Sequence, residues 1–194
     1  EQLRLRQLSK EQIETFEHQR LASEKQKTVN EAQALAAGQG DARQPGLVTM
    51  TTILETRQLT PVTKWFRLDA PLIARSAQPG QFVMLRVREG GERIPVTIAD
   101  YDRDAGTLVI VVQQVGATTT RLCALEAGDE ILDVAGPLGS AIDLPPGIHV
   151  CGVGGGFGTA ALLCPMREQR ARGSRTTAIL GARTKDLLIL ADDL

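Results

Sequence analysis

Four glycines fall within five positions, at Gly154, Gly155, Gly156 and Gly158, inside the run Cys151-Gly152-Val153-Gly154-Gly155-Gly156-Phe157-Gly158-Thr159-Ala160. Apolar Ile148 and Val150 precede the run, and Ala161, Leu162, Leu163 and Met166 follow it in a helical pattern. A strand, a glycine turn and a helix start together make a site for a pyrophosphate. Glycine lets the backbone approach a ligand closely, and the free N–H groups and positive dipole end of a helix favour an anion. The spacing is not the strict G-x-G-x-x-G of a dinucleotide fold, and a tight turn without a ligand has the same composition. Other chemistry has little to work with. Cys123, Cys151 and Cys164 are scattered, with no C-x-x-C pair. They are expected to be reduced core thiols of a cytoplasmic protein. His18 and His149 have no partner that would make a nucleophile or a metal site, and His149 on an apolar strand is expected to be a satisfied core histidine. Glu92, Asp100, Asp102 and Asp104 are expected to be turn and solvated carboxylates.

The whole chain bounds the possibilities further. Its 194 residues hold one or two domains, and 42% hydrophobic residues suffice for a core. A net charge of −1 with 3% aromatic residues argues against nucleic acid as a partner. No apolar run approaches the roughly 18 residues of a membrane helix. A charged N-terminus does not look like a secretory signal.

Three sections position the turn. Residues 1–46 are rich in Gln, Glu, Lys and Ala. Ser9 and Gln12 could form a capping box, with Ile13, Phe16 and Leu21 sharing a thin apolar stripe. This helical extension and linker is either a frayed tail or a tether to a partner subunit. Residues 47–145 carry six short strand patterns: Thr49–Arg57, Val62–Leu68, Phe82–Val87, Ile94–Ile98, Thr107–Val112 and Glu130–Val134. Turn chemistry such as Gln78-Pro79-Gly80 and Ala127-Gly128-Asp129 separates them. The pattern predicts a small antiparallel barrel, interrupted by one helix over about 118–126. Residues 146–194 change to β-α-β: a buried strand at His149–Val153, a helix from Thr159 to about Arg172 containing Pro165, and a strand at Thr176–Leu180. Parallel pairing is expected. Pro165 should kink or shorten that helix. An α/β nucleotide domain needs several strands, so either the sequence is a fragment or another chain supplies the remainder. The expected fold class is therefore α+β: an antiparallel barrel, a partial α/β domain with a parallel sheet, and an N-terminal helical extension.

Several separate words, in order, resemble the ferredoxin–NADP reductase superfamily. They are Pro79-Gly80-Gln81-Phe82-Val83, Gly91-Glu92-Arg93-Ile94-Pro95-Val96-Thr97-Ile98-Ala99-Asp100, Gly116-Ala117-Thr118-Thr119-Thr120, Asp133-Val134-Ala135-Gly136-Pro137-Leu138-Gly139 and Gly181-Ala182-Arg183-Thr184-Lys185-Asp186. Within it they are similar to the branch holding the small subunit of NADH-dependent ferredoxin:NADP oxidoreductase and the β subunit of sulfide dehydrogenase. More distantly they resemble the electron-transfer subunit of dihydroorotate dehydrogenase. The resemblance implies FAD in the barrel, with Arg93, Pro95, Val96 and Thr97 along the flavin strand. Arg93 would sit near the phosphates and the Thr97 hydroxyl near the ring. Gly116, Thr118 and Thr119 would cap a helix start facing the FAD pyrophosphate. Gly154, Gly155, Gly156, Gly158 and Thr159 would form the NAD(P)H phosphate turn, with Arg183 near the adenosine ribose. Departures from the branch pattern are Phe157 in place of a small aliphatic residue, Thr159 in place of Ile, and Ala161 in place of Pro.

What the resemblance implies about activity is hydride transfer from NAD(P)H to a flavin, followed by single-electron transfer to an iron–sulfur centre. The family's two-iron two-sulfur cluster has no ligands in this sequence. A larger flavoprotein or iron–sulfur subunit, and a ferredoxin, would be the partners, with electron bifurcation a further implication. No side chain needs to act as an acid or base. The other reading is a non-catalytic docking subunit with a degenerate nucleotide half.

Overall fold

The structure is a computed structural model that describes residues 46–194. The expected N-terminal helix with its Ser9–Gln12 box lies outside the described residues. Six antiparallel strands close a barrel in the order β1-β2-β5-β4-β3-β6: β1 (Gly46–Thr60), β2 (Thr63–Asp69), β3 (Phe82–Arg86), β4 (Arg93–Asp102), β5 (Thr107–Gln113) and β6 (Glu130–Leu138). β1 pairs with both β2 and β6, which closes the sheet and removes its free edges. Alternation sends Phe66, Leu68, Ile98, Ile110 and Ile131 inward, where they are essentially inaccessible to water. Burying side chains of this size stabilises the fold by about 1.5–3 kcal/mol each.

Two short helices complete the barrel. α1 (Pro71–Ser76) was not expected from the sequence. It is only six residues long, and Pro71 at its first position supplies the fixed φ that starts it. Its Ile73 joins the barrel core. α2 (Ala117–Cys123) is the expected interrupting helix, beginning and ending slightly earlier than the pattern suggested.

A two-stranded parallel sheet follows, β7 (His149–Gly155) with β8 (Arg175–Gly181). The segment between them is not one continuous helix. Gly156–Leu162 is a 3₁₀ helix, and α3 (Leu163–Ala171) starts only after it. Proline explains the break: Pro165 has no N–H and would collide with the carbonyl four residues earlier, so it is tolerated only in a first turn. Starting α3 at Leu163 puts Pro165 there.

β5 reads as an unbroken apolar run, Leu108–Val112, because both its faces are covered. Ile110 and Val112 face the barrel core. Val109 and Val111 join Trp65, Ala99, Ala160, Leu163, Ile189 and Leu190 in a second cluster outside the barrel. That second core seats the β7–β8 unit on the barrel wall. The expectation of a strand buried on both faces at His149–Val153 needs correction. Only Gly152 and Gly154 are buried along β7, while Val153 and Ile179 are exposed. Helical packing reaches this sheet from one side among the described residues. His149 is accordingly exposed, with a ring nitrogen 3.0 Å from Thr177 Oγ1. Cys164 is buried in the core and Cys123 packs half-buried against it, as expected, whereas Cys151 is exposed. Burial pushes the Cys164 thiol up to about 12. No helix among the described residues is long and apolar enough to cross a membrane.

Candidate functional site

β4 supplies the wall of a cleft of 230 Å³ on the outside of the barrel. Its alternation turns Val96 and Ile98 toward the core and leaves Pro95 and Thr97 exposed. Ile94, Pro95, Val96 and Thr97 line one side, and Val111, Gln113, Val115, Thr119 and Phe157 complete it. The lining is mainly apolar, with the Thr97 and Thr119 hydroxyls and the Gln113 amide as polar groups. A flat apolar ring with hydrogen-bonding edges matches that donor set.

α2 starts at the cleft. Thr119 Oγ1 accepts the Val115 and Gly116 N–H groups, each at 2.9 Å, and donates to Gly116 O at 3.0 Å. This is half of a capping box, since Gly116 at the cap has no side chain. Thr118 makes no capping bond, so of the two expected caps Thr119 is the one that acts. The first helical hydrogen bond is Thr120 N–H to Gly116 O, and the N–H groups of residues 117–119 precede it. No atom lies within 4 Å of where a Gly116 side chain would begin, so the approach to these groups is open.

Arg93 stands at the start of β4 directly opposite Arg86 on β3, and Arg86 opposite Asp133 on β6. The three side chains form one rung. Arg86 Nε lies 2.7 Å and Arg93 Nη2 3.3 Å from Asp133 Oδ2. Asp133 is buried, whereas the arginine side chains keep 31% and 38% exposure. Two guanidinium groups on one carboxylate leave one net positive charge facing solvent. Sequence reasoning named Arg93 and missed its partners. Asp133 stood inside one of the quoted words, but spacing alone did not pair it with a strand 40 residues away.

The glycine turn divides into two kinds of position. A Cβ on Gly154 would lie 2.8 Å from Leu162 Cδ1 and 3.0 Å from Thr159 Cα, so the 3₁₀ segment packs directly on the strand there. Gly156 has φ of +49°, and neither Gly156 nor Gly158 has an atom within 4 Å of its would-be Cβ. Gly155 and Gly156 line a second cleft of 450 Å³, with Gly181, Ala182 and Arg183 from the end of β8 and Thr60, Thr63 and Gln113 from the barrel. The structure thus brings Gly155, Gly156 and Arg183 together. Gly154 is buried under the 3₁₀ segment, and within that segment Thr159 is buried and Gly158 exposed. Gly154→Ala should destabilise the protein by about 1–2 kcal/mol through overpacking against backbone, while Gly158→Ala should leave stability nearly unchanged. Urea unfolding of both variants checks the contrast; equal stabilities would contradict the close packing at Gly154.

β4 is also tied to α3. Asp100 was expected to be a solvated carboxylate, but it is half-buried with Arg167 Nη1 2.5 Å from Oδ1. The two form a close ion pair lying off the N–H direction, since Oδ1 has no partner with hydrogen-bond geometry. Burial holds the Asp100 carboxyl above its usual range in spite of Arg167. Beside it Tyr101 OH donates to Glu168 Oε2 at 2.9 Å. A crevice of 180 Å³ nearby is ringed by Arg57, Arg67, Arg167 and Arg170. Arg57, Arg67 and Arg167 are paired with Asp193, Glu55 and Asp100, so it offers little unpaired charge to an anion. Among the described residues no three His, Cys, Asp or Glu side chains are grouped to hold a metal.

No family model matches the chain. An electron transfer subunit homolog of dihydroorotate dehydrogenase B (NAD⁺) from Thermotoga maritima is 44% identical over 128 residues, covering 66% of this chain and 45% of the relative. The corresponding subunit from Desulforamulus reducens is 36% identical over 137 residues, covering 69% and 52%. The structure of an NADH-dependent reduced ferredoxin–NADP oxidoreductase, described for flavin-based electron bifurcation, superposes with a TM-score of 0.71. It is 39% identical and covers 75% of this chain and 53% of that one. Phthalate dioxygenase reductase shares the fold at 20% identity and a TM-score of 0.65, covering 77% and 48%. The chain spans about half the length of the curated relatives it matches. With its closed barrel, its βαβ unit and these likenesses, the chain is a member of the ferredoxin–NADP reductase superfamily and resembles the small-subunit branch within it.

Proposed function

We propose that this chain is the flavin-holding part of an electron-transfer subunit, working with NAD(P)H on one side and a larger redox partner on the other. The observation that carries this is the 230 Å³ cleft, where an apolar wall, two threonines, the open start of α2 and the flavin strand meet. FAD in this cleft would supply hydride acceptance and single-electron release. The protein's own contribution is position and electrostatics. Ile94, Val111 and Val115 would exclude water from the ring, and Thr97 would hydrogen-bond its polar edge. The N–H groups of residues 117–119 and the surplus charge of the Arg86–Asp133–Arg93 rung would hold phosphate oxygens. Residues 47–145 would form the flavin domain and 146–194 the start of the nucleotide domain. In the latter, Gly155, Gly156 and Arg183 would line the dinucleotide's path. Transfer between nicotinamide and flavin needs no side-chain acid or base. The relatives named as subunits support a hetero-oligomer, and the bifurcating relative supports a ferredoxin-linked complex.

The test is the full-length protein purified with its native partner. Stoichiometric FAD, bleached anaerobically by NADH or NADPH, is expected. A colourless, fully assembled protein would overturn the redox reading and leave a docking subunit. Arg93→Ala should weaken FAD binding by about 2 kcal/mol, roughly 30-fold, by removing a charge-assisted contact while Arg86 keeps Asp133 neutralised. Unchanged affinity in a flavin titration would remove Arg93 from the phosphate site.

A further inference from the structure

The two clefts are adjacent, and among the described residues Gln113 and Phe157 line both. Gln113 ends β5 and is fixed by the barrel. Phe157 belongs to the glycine turn and is 41% exposed. It belongs to neither hydrophobic cluster. Its neighbours Gly156 and Gly158 have open space where side chains would be. The ring therefore stands in the common wall with little packing to retain it and a permissive backbone on either side.

Resting on the functional reading above, we propose that Phe157 gates access from the nucleotide cleft to the flavin cleft. Hydride transfer requires the reacting atoms at about 3–3.5 Å. A nicotinamide that enters from the Gly155–Arg183 side cannot approach a flavin on the Thr97–Val111 side while the ring occupies the wall between them. The adenosine and phosphate portions of the dinucleotide bind without moving the ring, whereas the nicotinamide must displace it. The contribution of the nicotinamide to binding is thereby reduced until the ring swings out. The gate sets when the two rings meet and takes no part in the transfer itself.

The experiment compares full-length, FAD-loaded wild type with Phe157→Ala, Phe157→Leu and Phe157→Tyr. Dissociation constants are measured calorimetrically for NAD⁺ and ADP-ribose, and for NADP⁺ and 2′-phospho-ADP-ribose. The visible flavin spectrum is recorded at saturation. In the wild type the whole dinucleotide should bind within about two- to three-fold of its fragment and perturb the flavin spectrum weakly. In Phe157→Ala the dinucleotide should gain about tenfold over the fragment and perturb the spectrum strongly, while the fragment's own affinity stays constant. Phe157→Leu should fall between them, and Phe157→Tyr, which keeps the ring, should match the wild type. The same dinucleotide-to-fragment ratio in wild type and Phe157→Ala, with FAD retained in both, overturns the gate alone. Failure of the wild type to retain FAD overturns the functional reading and the gate with it.

Discussion

Asp133→Ala should lower the unfolding free energy by about 4 kcal/mol, because it strips the counter-ion from two arginines at once. Arg86 and Arg93 face each other directly across β3 and β4. Like charges opposite one another in a sheet repel. In the native rung Asp133, buried on β6, takes Arg86 Nη2 at 2.6 Å and Arg93 Nη2 at 3.3 Å. Partial exposure of the arginines lets water screen part of the repulsion, which keeps the loss from being larger. Asp133→Asn retains the size and one acceptor oxygen and should lose about half as much. Adding Arg86→Met to Asp133→Ala removes the repulsion and should recover part of the stability, a non-additivity expected of groups in one network. Equilibrium urea unfolding of the three variants measures this. A loss below about 1 kcal/mol for Asp133→Ala would mean the rung is solvent-screened throughout. Flavin affinity should fall with stability in Asp133→Ala, since both guanidinium groups lose the partner that orients them.

The barrel was legible because most of its strands declare themselves twice, by alternation and by a neighbouring turn, while β5, an unbroken apolar run, is marked by its turn alone. The Ala127-Gly128-Asp129 turn precedes β6 as expected, whereas Val62, expected to open the second strand, lies with Pro61 in the turn closed by the Thr60–Thr63 pair. α1 was not legible: six residues give too few positions for a 3.6-residue period to show. The two-sided burial expected of β7 failed for a different reason. Alternating small and apolar residues there reflect helix packing on one face, with Gly152 and Gly154 as the contact points. Nothing in residue type separates a glycine needed for packing, such as Gly154, from one beside an open cleft, such as Gly156. Only the distance to a neighbouring chain segment does. The same holds for charge. Arg93 was recognisable as a candidate cation, but Asp133 and Arg86 become its partners only when β6, β3 and β4 pair in register.

Lys64→Met should cost about 3 kcal/mol, mainly by leaving two carbonyl groups without a donor. Lysines are rarely buried unless paired, and Lys64 on β2 is only 3% exposed. Its Nζ donates to Leu125 O at 2.6 Å, Cys123 O at 3.2 Å and Glu126 Oε1 at 2.7 Å. These acceptors lie at and just beyond the C-terminal end of α2, where the helix dipole favours a cation. Thr56 on β1 donates to the other Glu126 oxygen at 2.8 Å, so Glu126 links β1 and β2 to the helix end. The hydrogen bond from Lys64 holds the Glu126 carboxyl below its usual range. The opposite end of this short helix carries the Gly116 cap and Thr119, which lines the 230 Å³ cleft proposed for FAD. A seven-residue helix makes few hydrogen bonds of its own, so its direction depends on what holds its ends. Releasing the Lys64 end should let the N-terminal N–H groups drift from the phosphate position, weakening FAD binding about tenfold in protein that is still folded. Because Lys64 is buried, its contribution should change little between low and high salt, unlike that of an exposed pair. Urea unfolding at two ionic strengths, with a flavin titration below the transition, measures both effects. Wild-type flavin affinity in a folded Lys64→Met protein would show that α2 is held in place by Leu122 in the core alone.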